Sequence, residues 1–379
     1  MTRLRLRPRA SSMVGETSPV RKWGKRGRAA TVAARPNEDD VARLEAGSIT
    51  VATTPLELPP AAAAASFEPV QLVDMFYHPD DARAQHDGFF GRLTEEQEAA
   101  LREMETLAAS LDLASIAGFG DDGAPSEPLP LLFLRFLRAN DFKPHKAVAH
   151  IEENIEWRAA QGLRALLAEA PEEVLGCDPE EVNRYFPHWN LGPDRMGRPV
   201  LCKQYGGFKV WELMKLTTVE RMVRSHLWEQ EKTLAQMRRR TARGGQIVDS
   251  FVVVIDVAGM RIGQVTKDFI SLMKQVAHVD QRMFPECLGA MFIINTPAPF
   301  AYIWAMFTPM LDPRTVAKIR IFARPRDWQP ALLELVDAAI LPPEYGGTGA
   351  PLAERPSAST ACMQAEVSGG GTDESERGG

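Results

Sequence analysis

The sequence predicts an α/β protein, a small all-helical N-terminal cap followed by an α/β domain with a largely parallel sheet. Three observations carry this. Short apolar runs such as Phe251-Val252-Val253-Val254-Ile255 have the length and composition of strands buried on both faces. From residue 195 onward such runs alternate with stretches whose apolar residues recur at helical spacing. Between residues 93 and 165, by contrast, only helical patterns occur.

Leu93-Thr94-Glu95-Glu96-Gln97 opens the folded part, with Thr94 as helix cap and Gln97 closing a capping box, and the helix runs to about Ser110. Pro130 to Arg138 is almost continuously apolar, and Pro144 starts a helix with Ala147, Val148, Ile151 and Ile155 on one face. A strand over Arg198 to Gln204 begins the alternating series. Thr217 and Glu220 predict a second capping box, opening a helix that carries Val219, Met222, Val223, His226, Leu227, Leu234 and Met237 and ends in Arg238-Arg239-Arg240. The strand Phe251 to Ile255 comes next. A helix over Thr266 to His278, a strand Met291 to Ile294, a helix Phe300 to Met310, a strand Ile319 to Phe322 and a helix Ala331 to Ala339 complete the domain.

At 379 residues the length fits two to three domains, and 45% hydrophobic with 25% charged residues is ordinary for a globular protein. Collagen, coiled-coil and disulfide-scaffold classes are excluded. Cys177, Cys202, Cys287 and Cys362 lie far apart without a CxxC pair, which suits a reducing compartment and suggests neither zinc nor disulfides. The net charge of −6 hides a division, because residues 1 to 35 hold ten Lys+Arg and one acid, Glu16, leaving 34 basic against 49 acidic residues elsewhere. A body of net −15 argues against nucleic-acid binding, which needs a basic face. The Arg-rich start is read as part of a disordered basic arm, with an organelle transit segment and a polybasic tether to anionic lipid as alternatives. The Ser/Gly/Glu-rich end from Pro351 is read as a disordered tail without a prenylation box.

Motifs for familiar chemistry are missing. Neither GxxxxGK[ST], GxGxxG after a strand, GxSxG nor HExxH occurs, so Asp256 at the end of its apolar strand reads as a turn residue rather than a magnesium ligand. His145 and His150 share one helix and read as a surface pair rather than a metal site. No catalytic constellation, metal site or cofactor is predicted, and the protein is not expected to be an enzyme. The longest uncharged stretch, Cys287 to Leu311, is cut by Asn295, Pro297, Pro299 and Pro309 into a strand, a turn and a helix rather than a membrane span. That helix carries Phe300, Tyr302, Ile303, Trp304, Met306 and Phe307 around nearly its whole circumference, the mark of a helix that is buried or meets lipid.

Several separated motifs carry a resemblance. Leu134-Arg135-Phe136-Leu137-Arg138-Ala139-Asn140-Asp141-Phe142 with Trp157-Arg158, Asp194 to Val200, Thr217 to Glu220, Phe284-Pro285-Glu286, Phe292 to Asn295, Leu311 to Lys318 and Leu341 to Gly347 stand in the order seen in CRAL-TRIO lipid-binding proteins. The chain most resembles their phosphatidylinositol/phosphatidylcholine transfer branch, over about 255 residues from Leu93 to Thr348. The resemblance implies a helical cap over 93–165 and a lipid-binding domain over 175–349, and the composition of the ends, which lie outside it, adds a disordered basic arm over 1–92 and a disordered tail over 350–379. In that fold the sheet floors a hydrophobic pocket closed by a mobile helical gate, which falls on Phe300 to Met310, with Phe300, Ile303, Trp304 and Phe307 as gate residues and Phe251 and Val253 in the pocket.

It further implies a headgroup site at Glu286, Asp312, Thr315 and Lys318, where an ammonium and a hydroxyl donate to phosphate and carboxylates accept from inositol hydroxyls. Read without it, Asp312-Pro313 is a helix N-cap with Pro in the first turn, and Lys318 a surface charge. Two departures stand out. Asn140-Asp141 replaces a basic pair that helps to hold phosphate, and Phe251 and Val253 replace small hydroxyl residues for the choline lipid, as Leu201 replaces a tyrosine. The expectation is a monomeric, cytoplasmic carrier of phosphatidylinositol that works at the membrane surface and presents its lipid to lipid kinases. The alternatives are a carrier of a neutral hydrophobe (tocopherol, retinoid or sterol-like) and a lipid-sensing interaction module. A carrier must exchange while docked, since exposing two acyl chains of roughly thirty methylenes at ~0.8 kcal/mol each costs on the order of 25 kcal/mol.

Overall fold

In the computed structural model, which describes residues 75–118 and 126–362, the apolar run around Val253 becomes the central strand of a five-stranded sheet. The strands β1 (His188–Pro193), β2 (Pro199–Gln204), β3 (Phe251–Asp256), β4 (Leu288–Ile294) and β5 (Ile319–Ile321) stand side by side in chain order. β1 and β2 are antiparallel and the rest parallel. The Asp194 to Val200 motif makes the hairpin: Asp194 Oδ1 accepts from Met196 N at 2.9 Å and Arg198 N at 2.8 Å, and Gly197 takes the left-handed turn position at φ 75°.

Because each parallel neighbour lies one step further in the same direction, right-handed crossovers place the connecting helices on one face. They are α8 (Val210–Leu216) and α9 (Val219–Gly244) between β2 and β3, α10 (Lys267–His278) before β4, and α11 (Phe300–Phe307) with α12 (Pro313–Ala317) before β5. On the other face α13 (Pro325–Leu335) sets Trp328 and Leu332 against Val200, Cys202, Val252, Val254, Phe292 and Ile294. The alternate residues Phe251 and Val253, with Leu201, face the α9 side.

The cap comprises α1 (Glu95–Leu107), α2 (Ala114–Ala117), α3 (Leu129–Ala139) and α4 (Pro144–Ala160), around Met104, Leu132, Phe136, Leu137 and Ile151. The predicted box at α1 is present, with Gln97 N donating to Thr94 Oγ1 at 3.3 Å and Thr94 N to Gln97 Oε1 at 3.0 Å. Three short helices, α5 (Leu163–Ala168), α6 (Pro171–Leu175) and α7 (Pro179–Tyr185), lead from cap to sheet. Buried polar contacts fasten the cap to the domain. Asn154 Nδ2 donates to Met283 O at 2.9 Å, Arg158 pairs with Glu231, and Arg135 holds Glu127 at 2.7 Å while reaching Pro285 O at 3.3 Å.

Several expectations need correction. Of the arm expected over 1–92, residues 1–74 lie outside the described residues, but 75–92 pack on the domain: Ile247 N donates to Phe76 O at 2.7 Å, and Tyr77 Oη donates to Asp249 at 2.7 Å, with Arg83 paired to Asp249. The tail expected from residue 350 also starts later. Residues 351–362 lie along β1 and α9, with Leu352, Ser357 and Ser359 buried, and 363–379 lie outside the described residues. The α9 cap is Thr218, whose Oγ1 accepts from Arg221 N at 3.2 Å, while Thr217 is buried and donates to Leu175 O at 2.7 Å. The last helix begins at Pro325 and contains Pro330, which sequence reading takes for a boundary.

Candidate functional site

Phe284-Pro285-Glu286 leaves the π-helical turn Val279–Met283 that ends α10, and Glu286 adopts a left-handed conformation at φ 61°. Thirty-two residues later Lys318 caps the C-terminus of α12, and its Nζ donates to Glu286 Oε2 at 3.0 Å. The side chains are 27% and 14% exposed, so the pair is reachable from solvent but screened less than a surface pair. Its chain neighbours are apolar: Phe284 packs with Phe251 and Val253, and Ile319 lies against the cluster that contains Phe300 and Ile303.

Asp312 and Thr315 occupy the same short helix in different roles. Asp312 Oδ1 accepts from Arg314 N at 2.7 Å, so this carboxylate is the N-cap of α12, and Pro313 fills the first turn. Lys318 N donates to Thr315 O at 3.0 Å. Sequence reading missed Arg314. Its guanidinium donates to Arg138 O at 2.8 Å, Ala139 O at 2.7 Å and Asp141 Oδ1 at 3.1 Å, binding α12 to the C-terminal end of α3. A cation there complements the helix carbonyls, and it occupies the neighbourhood of the Asn140-Asp141 departure. Asn140 itself donates to Phe136 O at 2.9 Å and contacts His150 Nδ1 at 3.0 Å.

Phe251 and Val253 are buried on the sheet face beside Leu201, in one cluster with Trp228 and Leu234 of α9. On α11, Phe300 and Ile303 are buried, with Trp304 and Phe307 partly so, and the Phe307 ring lies 6.0 Å from that of Phe269 on α10. Tyr302 and Met306, one turn apart, point outward at 69% and 44% exposure. Thr308–Met310 continues α11 as a 3-10 turn whose end is held by Gln281, donating to Met310 O at 2.9 Å. The helix thus has an inner face on the apolar layer and an outer face in solvent. Among the described residues no helix is long and apolar enough to cross a membrane.

Asp256 is the turn residue expected, its Oδ1 accepting from Ala258 N at 2.9 Å and Asn295 Nδ2 at 3.0 Å. The histidine pair is not. His145 is exposed beside Glu103, whereas His150 is buried, and its Nε2 lies 2.7 Å from Arg282 O. A carbonyl can only accept, so Nε2 carries the hydrogen and Nδ1 accepts from Asn140. Burial pushes the His150 pKa down and keeps this neutral arrangement.

An apolar sheet face under a crossover helix with one buried and one exposed face, beside an ion pair at the cap boundary, describes a single-sheet α/β protein with a helix-covered hydrophobic layer. Residues 183–347 match the CRAL/TRIO domain, and the chain belongs to the CRAL/TRIO family, in its phosphatidylinositol/phosphatidylcholine transfer branch. It is 30% identical over 258 residues to the SEC14 cytosolic factor of Candida glabrata, covering 68% of this chain and 80% of that one. It is 35% identical over 218 residues to the phosphatidylinositol/phosphatidylcholine transfer protein SFH4 of Arabidopsis thaliana, covering 57% of this chain but 35% of that one. The chain therefore spans about a third of the length of this plant relative. The crystal structure of Sfh5 shares the fold at TM-score 0.51 and 16% identity, over 73% of this chain and 98% of the other.

Proposed function

We propose that the protein binds phosphatidylinositol and transfers it between membranes, presenting it to lipid kinases, with Lys318 as the phosphate donor and Glu286 as acceptor of inositol hydroxyls. The observation that carries this reading is the Glu286–Lys318 pair, 3.0 Å apart, set beside the apolar layer of Phe284, Phe251 and Val253. One end of that pair supplies what a phosphate needs and the other what a polyol needs. Arg314, already committed to carbonyls and carboxylates, orients α12 rather than binding phosphate. Transfer of labelled phosphatidylinositol between vesicles tests the reading: wild type accelerates it, and a Lys318→Ala protein that transfers as fast as wild type contradicts it.

Membrane docking follows from the gate end. Tyr302 and Met306 share it with Trp211 on α8 and Ile262, 76% and 59% exposed. Gln264 joins the Ile262 turn to the strand-end loop by donating to Phe208 O at 2.9 Å, and Phe208 and Phe269 stack the loop onto α10 with ring centroids 5.5 Å apart. Exposed Lys209, Lys215, Arg261 and Lys267, against Glu212 and Asp268, lie close in the chain to Trp211 and Ile262, and Lys215 Nζ sits 5.9 Å from the Trp211 ring centroid. Aromatic tips amid cations suit an anionic bilayer surface, where the gate opens and the lipid never enters water.

A second reading, a carrier of a neutral hydrophobe such as a tocopherol, retinoid or sterol-like molecule, is favoured by the absence of hydroxyl side chains at Phe251 and Val253. It predicts that Lys318→Ala leaves cargo loading unchanged.

A further inference from the structure

Residues 355–362 lie beyond the matched domain and belong to neither the headgroup site nor the α11 face. Arg355 fixes their start: its guanidinium donates to Leu191 O on β1, Ile340 O and Ala350 O, each at 2.9 Å. From Pro356 to Cys362 no side chain is both large and apolar. Burial there is chiefly polar instead, with Ser357 0% and Ser359 1% exposed. The segment is therefore held down by hydrogen bonds rather than by an apolar anchor.

Every hydroxyl hydrogen in it runs toward a carboxylate. Ser359 Oγ donates to Glu229 Oε1 of α9 at 2.5 Å, and Thr360 Oγ1 to Glu180 Oε1 of α7 at 2.8 Å. Thr360 has then used its hydrogen, so in the 3.0 Å contact with Ser357 Oγ the serine is the donor. Ser357 N adds a bond to Glu180 Oε1 at 2.9 Å. Burial pushes both carboxyls up, but His188, Lys203 and Ser359 outweigh it at Glu229 and bring its pKa down to about 2, and Ser357 and Thr360 lower that of Glu180. Both groups are therefore ionised at neutral pH and can only accept.

The segment covers the β1 side of the apolar layer. Ala358 and Cys362 close a hollow that also touches Trp189 of β1 and Leu201 of β2, and Cys362 packs on the cluster that contains Phe251 and Val253. A strap that seals an apolar layer, yet is fastened by hydroxyl groups facing two anions, comes loose when a hydroxyl becomes an anion.

We propose that Ser359 is a phosphorylation site and that residues 356–362 are a strap released by the charge placed there, which opens the β1 side of the apolar layer. A protein kinase transfers the terminal phosphoryl group of ATP: a bond forms from phosphorus to Ser359 Oγ, the bond from phosphorus to the bridging oxygen of ADP breaks, and the hydroxyl proton passes to the kinase's base. The product has lost the hydrogen that Glu229 accepts at 2.5 Å, and it carries a charge of about −1.5 to −2 toward that carboxylate. Repulsion and bulk both close the docked position to it. Because Ser359 is 1% exposed when docked, the kinase acts on the strap in its open state, and the phosphoryl group then holds it open.

The test uses the full-length protein with phosphoserine incorporated at position 359, beside wild type and Ser359→Ala. It follows hydrogen exchange of the Ser357 amide, which is bonded across the contact with α7, and of β3 amides to show that the domain stays folded. Ser359→Ala loses the bond to Glu229 without gaining charge and should speed exchange at Ser357 by roughly tenfold. The phosphoserine protein should exchange at least about tenfold faster again, and should bind more of a dye that fluoresces on apolar surface. Adding Glu229→Gln should take back part of that increase, because an amide still accepts from His188 and can donate to the phosphate. Exchange no faster with phosphoserine than with Ser359→Ala, an increase untouched by Glu229→Gln, or faster exchange without added dye binding overturns the proposal. None of these readouts involves phosphatidylinositol, so each failure leaves the transfer reading standing.

Discussion

Replacing the two outward residues of α11, Tyr302→Ser with Met306→Ser, tests whether this face meets the bilayer. Fully burying a large apolar side chain is worth ~1.5–3 kcal/mol. Scaled by the exposures of 69% and 44%, that gives about 1–2 kcal/mol for Tyr302 and about 0.7–1.3 kcal/mol for Met306 if the bilayer covers what is exposed. Loss of both should weaken partitioning by about 2–3 kcal/mol, roughly 30- to 150-fold. The assay is flotation of the protein with vesicles containing anionic lipid, at several lipid concentrations. Neither side chain belongs to the core, so the melting temperature should barely move. Vesicle partitioning within twofold of wild type, with an unchanged melt, would refute the placement of this face in the bilayer.

Three further outcomes follow from the same geometry. Lys318→Ala should slow vesicle transfer of phosphatidylinositol by roughly 10- to 100-fold, the value of a charge-assisted bond to phosphate, and a double-mutant cycle with Glu286→Ala measured in the same assay should be non-additive because the two side chains touch. Asp312→Ala should cost about 1 kcal/mol in urea unfolding as a lost helix cap, and Asp312→Ser should restore both stability and transfer if the carboxylate acts through the cap alone. His150 is held neutral by burial, so its folded-state pKa lies below the unfolded one and the unfolded chain binds the extra proton as pH falls. Its contribution is complete above about pH 6.5 and is lost on acidification. Urea midpoints between pH 7.5 and 5.0 should fall more steeply for wild type than for His150→Gln, and parallel slopes would count against this.

What could be read from the sequence was local. Thr94 and Gln97 satisfy each other within four residues, the β1–β2 turn is built by Asp194 and Gly197 inside one motif, and β3 is marked by five consecutive apolar residues. What escaped was set by distant partners. Tyr77 reaches an aspartate 172 residues away, and Arg314 reaches Asp141 across 173, so neither the packed stretch 75–92 nor the clamp on α12 leaves a periodic trace. β1 contains Gly192 and Pro193 and survives as an edge strand because the hairpin pairs it with β2. Glu286 and Lys318 were legible only through resemblance, since a glutamate and a lysine 32 residues apart share no spacing rule. Nor did the contact of Ser359 with Glu229 on α9 leave a signal, since Ser359 lies in a segment whose composition reads as a tail.

The central claim is that the Glu286–Lys318 pair selects an inositol phosphate head. It is tested most directly by mass spectrometry of lipids extracted from the protein after incubation with mixed membranes, for wild type, Lys318→Ala and Glu286→Ala. The account predicts phosphatidylinositol on the wild type and its loss from both variants. Recovery of a neutral hydrophobe from the wild type, or phosphatidylinositol retained by both variants, would contradict it.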